Sequence, residues 1–203
     1  MNYGFFNTLS NKGFTKQEID RMGNAIIYIT EKLGACPKTK VLKLLYFLEE
    51  KSVIDSGVPF FGLKWKVWKL GPVDQTVFSE LSNQPDLLSD YISTSYDDGT
   101  TLVEAKKDFD DGEFSDYDLS LMDKVIQSLG HHTAGHLSEL THKKGGLWDF
   151  IATEHGLKEK FDNHLQTTSD YEIDFSNLIS GDKHKLEMYA GFFDIKSADK
   201  KYS

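Results

Sequence analysis

The stretch V-L-K-L-L-Y-F-L-E-E-K-S-V-I-D-S-G-V-P-F-F-G-L-K-W-K-V-W-K-L-G-P-V-D-Q-T-V-F-S-E-L, Val41 to Leu81, decides the fold. Val41, Leu44, Leu45 and Leu48 fall at i, i+3, i+4 and i+7, one face of an α-helix. Tyr46 and Phe47 widen that face, which predicts a helix buried on more than one side. Val53 and Ile54 carry it to Ser56-Gly57, where glycine can supply the left-handed residue that ends a helix. From Phe60 to Leu70 the period changes. Leu63, Trp65, Val67 and, after a shift, Leu70 alternate with Lys64, Lys66, Trp68 and Lys69, as in a half-buried strand. Gly71-Pro72 is expected to stop the strand. Pro72 suits the first turn of a following helix, where its missing N–H would be unpaired in any case. Val73, Val77, Phe78 and Leu81 then mark the inner face of that helix.

Toward the N-terminus, Thr15-Lys16-Gln17-Glu18 reads as a capping box. Ile19, Met22, Ile26, Ile29 and Leu33 make the apolar face of the helix it opens. Gly34 ends that helix, Cys36 falls in the turn, and Pro37 starts the next, so the two form a helical hairpin. Residues 1–14 hold Tyr3, Phe5, Phe6 and Leu9, too apolar for a plain linker. They read as an extension that packs back on the body, or else as a partner-binding tail.

Toward the C-terminus, Tyr91–Thr94 and Thr101–Glu104 flank Asp97-Asp98-Gly99, a hairpin signal. The strand at Leu63–Val67 is expected to join this small antiparallel piece. Ser115 or Asp116 caps the next helix, with Leu119, Met122, Val125, Ile126 and Leu129 inside and Gly130 at its end. Thr133 caps another, broken at Gly145-Gly146. Trp148 opens a further helix with Phe150 and Ile151. Short helices are predicted within Leu157–Leu165 and Phe175–Phe193, then a frayed charged tail from Lys196 to Ser203. The expected architecture is mainly α, about six helices with a small inserted antiparallel β-sheet. A domain at 15–165 stands between extensions at 1–14 and 166–203.

Composition narrows the function classes. The net charge of −9 argues against a general binder of nucleic acid or anionic membranes. A single cysteine, Cys36, permits no internal disulfide and fits a reducing compartment. Met1-Asn2-Tyr3-Gly4 lacks the basic and apolar regions of a signal peptide, and no apolar run approaches twenty residues, so a cytoplasmic protein is expected.

Candidate chemistry is sparse, and no phosphate-binding, dinucleotide or nucleophile-elbow motif is present. His131, His132, His136 and His142 crowd twelve residues. On one continuous helix His132, His136 and Glu139 would share a face, and with His142 they would define a metal hydrolase. Thr133 as an N-cap would leave His132 outside that helix, and the zinc-protease glutamate is missing. Asp108, Asp110, Asp111 and Glu113 gather around Gly112 without the spacing of a calcium loop. They read as a solvated acidic loop or as a docking surface for a basic partner. Phe60, Phe61, Lys64, Trp65 and Lys66 interleave aromatic and basic residues. This pattern fits a strand with a lysine-bearing outer face, or an aromatic contact surface for a protein. A DNA-binding regulator would need a basic helix face, for which Lys38, Lys40, Lys43 and Lys51 are the only candidates.

K-L-L-Y-F at Lys43–Phe47, Gly57, W-K-L-G-P-V at Trp68–Val73 and L-S-E-L-T-H-K-K-G-G-L-W at Leu137–Trp148 resemble, in that order, the Panacea domain, the SocA-type antitoxin family of bacteria and phages. The resemblance runs from about Ile19 to Ile151. The absence of catalytic motifs leads to the expectation of no enzyme activity and no cofactor. The resemblance implies an antitoxin of a type II toxin-antitoxin pair, whose partner is a cognate protein toxin held directly or handed to a protease. Exposed members of Phe60–Trp68 and the acidic Asp108–Glu113 are the expected contact surface. Lys43, Tyr46, Trp68, Gly71, Pro72, Thr141, His142 and Trp148 match family signature positions without an assigned role. The proline that commonly precedes the tryptophan is replaced by Leu147.

Overall fold

The computed structural model describes residues 13–202, with side chains to residue 199. Most of the expected N-terminal extension therefore lies outside the described residues. Helix α1 spans Lys16–Leu33, and its capping box forms as the sequence predicts: Glu18 N donates to Thr15 Oγ1 at 3.1 Å and Thr15 N donates to Glu18 Oε2 at 2.7 Å. Helix α2, Lys38–Ser56, ends at Gly57 in the left-handed region (φ 79°), where a Cβ would press on the Lys185 backbone. Every residue from Val41 to Glu49 on α2 is buried. α2 is the axis of the molecule, touching α1 and most of the elements introduced below.

Two small antiparallel sheets flank it. Strands β1 (Cys36–Pro37), β4 (Ile92–Asp97) and β5 (Thr100–Ala105) form one sheet in the order β1-β5-β4, with β4 and β5 joined through Asp98-Gly99 as expected. Strands β2 (Trp65–Trp68) and β3 (Gly71–Asp74) form the other. Helix α3 is Gln75–Ser82, α4 Asp116–Leu129, α5 Ala134–Thr141, α6 Leu147–Glu154, α7 Leu157–Asp162 and α8 Lys183–Tyr202, with a 3-10 helix at Phe175–Ile179. The described residues thus hold eight α-helices rather than about six, and the mainly helical reading with small antiparallel sheets stands.

Several local expectations change. β2 does not join the β4–β5 hairpin but folds on β3, pairing Trp68 with Gly71 and Trp65 with Asp74. Gly71-Pro72 is therefore a strand, not the start of a helix. α3 begins one turn later, where Asp74 Oδ1 accepts from Thr76 N and Val77 N, both at 3.0 Å. Asp74, not Pro72, opens the helix, because its carboxylate can satisfy the free N–H groups of the first turn. Pro72 is tolerated because it faces Val67, whose N–H points outward to Tyr171 O, so this position of the β2–β3 ladder needs no N–H from it. Leu70, expected inward, is 69% exposed at the hairpin turn. Cys36 lies in β1 opposite Val103, not in a turn. The segment from Lys196 is not a frayed tail, since α8 continues to Tyr202.

The outer edge of β2 is also covered. Val67 N donates to Tyr171 O (3.0 Å), Lys69 N to Thr167 O (2.9 Å) and Ile173 N to Trp65 O (2.7 Å). Residues 167–173 thus run beside β2 as a further, irregular strand, and Ile173, Phe175 and Ile179 enter the core. Phe175 lies 5.6 Å from the Tyr46 ring on α2. Phe175→Ala should lower stability by about 3 kcal/mol, read by chemical denaturation. A chain ending at Leu165 should fail to unfold cooperatively, and a cooperative 13–165 fragment would contradict this packing.

Candidate functional site

The β2–β3 hairpin meets α2, α5 and α6 at a corner that gathers most of the signature positions. Lys43 projects from α2 and is 1% exposed, with Nζ donating to Pro72 O at 2.8 Å. Burial drives its pKa down to about 7. Gly71 has φ 102°, and a Cβ there would lie 2.6 Å from Thr141 Oγ1 and 2.7 Å from Lys43 Nζ. Thr141, itself buried, donates to Ser138 O at 2.7 Å on its own helix. His142 stacks on Trp148, ring centroids 3.8 Å apart and 24° between planes. Trp148 Nε1 donates to Trp68 O at 2.8 Å, tying α6 to β2. Among the described residues His142 Nε2 is buried without a hydrogen-bond partner. Burial first, then the nearby Lys43 charge, pushes its pKa down to about 4.

Tyr46 stands about one helical turn along α2 from Lys43, edge-on to Trp65 at 5.3 Å, with its hydroxyl donating to Glu50 Oε1 at 3.2 Å. On the same helix Glu49 is 1% exposed and accepts from Phe61 N (2.6 Å) and Leu63 N (3.1 Å). Desolvation raises its pKa to about 7. The corner therefore works as a fastening: buried polar groups on α2 hold both ends of the chain that leads into and out of β2.

The antitoxin SocA-like, Panacea domain family model matches residues 41–149, more than half of the chain. This chain belongs to that family. Antitoxin SocA of Caulobacter vibrioides (strain NA1000 / CB15N) is 30% identical over 121 residues, covering 56% of this chain and 58% of that protein. The chain thus spans less than two thirds of that relative's length. No solved structure matches. The matched region of the Panacea domain ends at α6, so residues 167–173, which complete the β2 sheet, lie beyond it.

Within this Panacea domain the expected contact residues separate. Phe60, Phe61 and Trp65 are 2%, 7% and 0% exposed, core residues rather than an aromatic contact surface, because Glu49 draws their backbone onto α2. Lys64 is exposed, and its ammonium lies 4.0 Å from Glu172. Lys66 bonds Asp170 (2.7 Å) and Gln75 (3.0 Å). Asp108, Asp110 and Asp111 are exposed and Glu113 is half-buried.

The acidic loop has fixed anchors that sequence reasoning missed. Phe109 N donates to Glu31 Oε1 (2.9 Å) and Asp110 N to Asn24 Oδ1 (3.1 Å). Arg21 of α1 lies between the Phe60 and Phe114 rings, 4.4 and 4.9 Å from their centroids. It donates to Phe60 O (2.8 Å) and Glu113 O (2.5 Å) and pairs with Asp118 at 2.9 Å. A lone arginine on a helix carries no signal for contacts about ninety residues away in sequence, which is why it was invisible. Beside it a mostly apolar groove of about 490 Å³ opens between α1, α4 and α8, lined by Phe60, Tyr117, Phe192 and Ile195 among others.

The four histidines do not share one site. His132 packs on His131 and His136 at 3.9 and 4.5 Å, outside α5 as the Thr133 cap predicts, while His142 belongs to Trp148. Among the described residues no group of three or more His, Cys, Asp or Glu side chains is arranged to hold a metal ion. Nor is any helix among them long and apolar enough to cross a membrane.

Two outcomes follow from the corner. Gly71→Ala should destabilise by about 2–3 kcal/mol through its positive φ and the crowding by Thr141 and Lys43, measured by thermal or denaturant unfolding. The folded His142 takes up its proton near pH 4 and the unfolded one near 6.5. Above pH 6.5 it does not affect stability. From 6.5 down to about 4 the unfolded state binds the extra proton, so stability falls and then levels. His142→Gln should remove that component, so between pH 6.5 and 4 the unaltered protein should lose more stability than the variant does.

Proposed function

We propose that this chain is the antitoxin of a type II toxin-antitoxin pair and neutralises a protein toxin by direct, stoichiometric binding. The observation that carries the reading is membership of the SocA-like Panacea family over residues 41–149. The buried signature corner supports a binding role over a catalytic one, because its Lys43 and Thr141 are closed from solvent and serve the fold. The acidic loop and the groove beside it are the contact surface we assign. Loop carboxylates at Asp108, Asp110 and Asp111 stand on a backbone fixed by Arg21, Asn24 and Glu31, so they are presented without the entropy loss of ordering a free loop. A basic toxin face would be steered to them. The basic helix face that a DNA-binding role would need is broken, since Lys43 is buried and Lys38 donates to Ser82 at 3.0 Å.

Co-expression with the product of the adjacent open reading frame tests the reading. Expected is growth arrest by the neighbour alone, rescue with this chain, and co-purification of the two. A toxin that disappears from cells instead of forming a complex would establish hand-over to a protease. A harmless neighbour, or rescue without contact or loss of the toxin, would overturn the proposal. Asp108→Lys, Asp110→Lys and Asp111→Lys combined should slow association roughly tenfold or more at low salt, a gap that narrows as salt screens the loop.

A further inference from the structure

Among the described residues the outer edge of β4 has unpaired backbone and carries no proline, lysine or bulge against strand addition. Lys106 N donates to Tyr91 O at 2.9 Å, in register with the β4–β5 ladder. Hydrogen-bonded and non-hydrogen-bonded pairs alternate along an antiparallel ladder. Ser93–Glu104, Ser95–Leu102 and Asp97–Thr100 are therefore the bonded pairs. The N–H and C=O groups of Thr94 and Tyr96 then point away from β5, and β4 is the last strand of its sheet. Among the described residues these groups have no hydrogen-bond partner, although the Thr94 side chain donates to Asn83 O at 2.8 Å. Sheet edges are commonly blunted by proline, lysine or a bulge. Ile92–Asp97 contains neither residue, and its six pairs with β5 run without interruption. Tyr96 stands 77% exposed on this edge.

Charge selects the occupant. From Gly71 to Ala105 there is no lysine or arginine, while Asp90, Asp97, Asp98 and Glu104 are exposed on or beside the hairpin. The two lysines that follow are exposed but engaged by their own neighbours: Lys106 donates to Ser89 O at 2.7 Å, and Lys107 lies 3.7 Å from the centroid of the Tyr91 ring. A second copy of this chain would bring the same acidic hairpin against itself. We propose that the β4 edge is a strand-addition site for an extended, lysine- or arginine-bearing segment of the protein toxin. The added strand bonds the backbone of Thr94 and Tyr96 and sets an aliphatic or aromatic side chain across from Tyr96. Its cations meet Asp97, Asp98 and Glu104. This deepens the antitoxin reading and rests on it.

The test substitutes Thr94→Pro and Tyr96→Pro in the full chain. Each removes an outward N–H and spares the β4–β5 ladder. The probe is the co-expressed product of the adjacent open reading frame. Binding should weaken roughly 10- to 100-fold for the two lost bonds, with Tyr96→Ala less affected. Because proline could disturb the hairpin, hydrogen exchange in the unaltered complex gives a second readout, and the Thr94 and Tyr96 amides should slow at least about tenfold there. A toxin that binds both proteins equally, with no slowing at these amides, overturns the edge site and leaves the antitoxin reading intact. A dimer of this chain that the proline variant dissolves overturns it in favour of self-pairing. A neighbour that the unaltered chain neither binds nor neutralises removes the antitoxin reading and this site with it.

Discussion

A lysine amine with almost no solvent holds the Pro72 carbonyl, and much of the molecule is arranged around that bond. It joins the middle of α2 to the return strand of the β2–β3 hairpin. Gly71 must lack a side chain for the amine to fit, Thr141 closes the space from α5, and His142 at the end of α5 stacks on Trp148 of α6 beside it. A cation in such a place is expensive to desolvate. Burial pulls its pKa down to about 7, so the amine gives up its charge far more readily than an exposed lysine. The corner is thus specified by shape and by one directional bond rather than by an ion pair. Glu49, two turns along α2, solves the mirror problem by accepting two backbone N–H groups while its own pKa rises to about 7.

The sequence showed the helices well because their signals are local. The α1 capping box, the all-round burial of α2, the Gly57 stop, the Asp-Gly turn and the Thr133 cap each depend on a few adjacent residues. It showed the sheets poorly because strand partners are set by chain far away. Nothing in L-K-W-K-V-W says that its neighbour on one side is G-P-V-D and on the other a polar run a hundred residues on. The contact residues suffered from the same limit. Phe60, Phe61 and Trp65 look like an interface in one dimension, and only the Glu49 bonds from another turn of chain reveal why they are core. Arg21 was missed for the converse reason, since its rings and carbonyls come from two separate loops.

Charge is distributed as well as abundant. Cations of the central region are used internally: Lys66 on Asp170, Lys196 on Glu18 and on the Phe61 and Gly62 carbonyls, Arg21 on Asp118. Many carboxylates of the β4–β5 hairpin and the following loop face solvent. The net charge of −9 is therefore concentrated on one continuous part of the chain, where field and affinity for a cationic surface are greatest.

The sheet built on β2 is finished by residues 167–173, with Ser169 Oγ donating to Val67 O across 102 positions of sequence. During synthesis the earlier strands wait for that segment, because a ribosome holds the most recent residues in its tunnel while the N-terminal part is already free. Trp65 and its neighbours stay open to solvent until residues 167–173 have emerged. A chain interrupted before that segment would be left with an unfinished sheet and an exposed aromatic cluster, the kind of surface that cellular proteases and chaperones engage. The fold of the β2 sheet is thus a property only of copies read past Ile173.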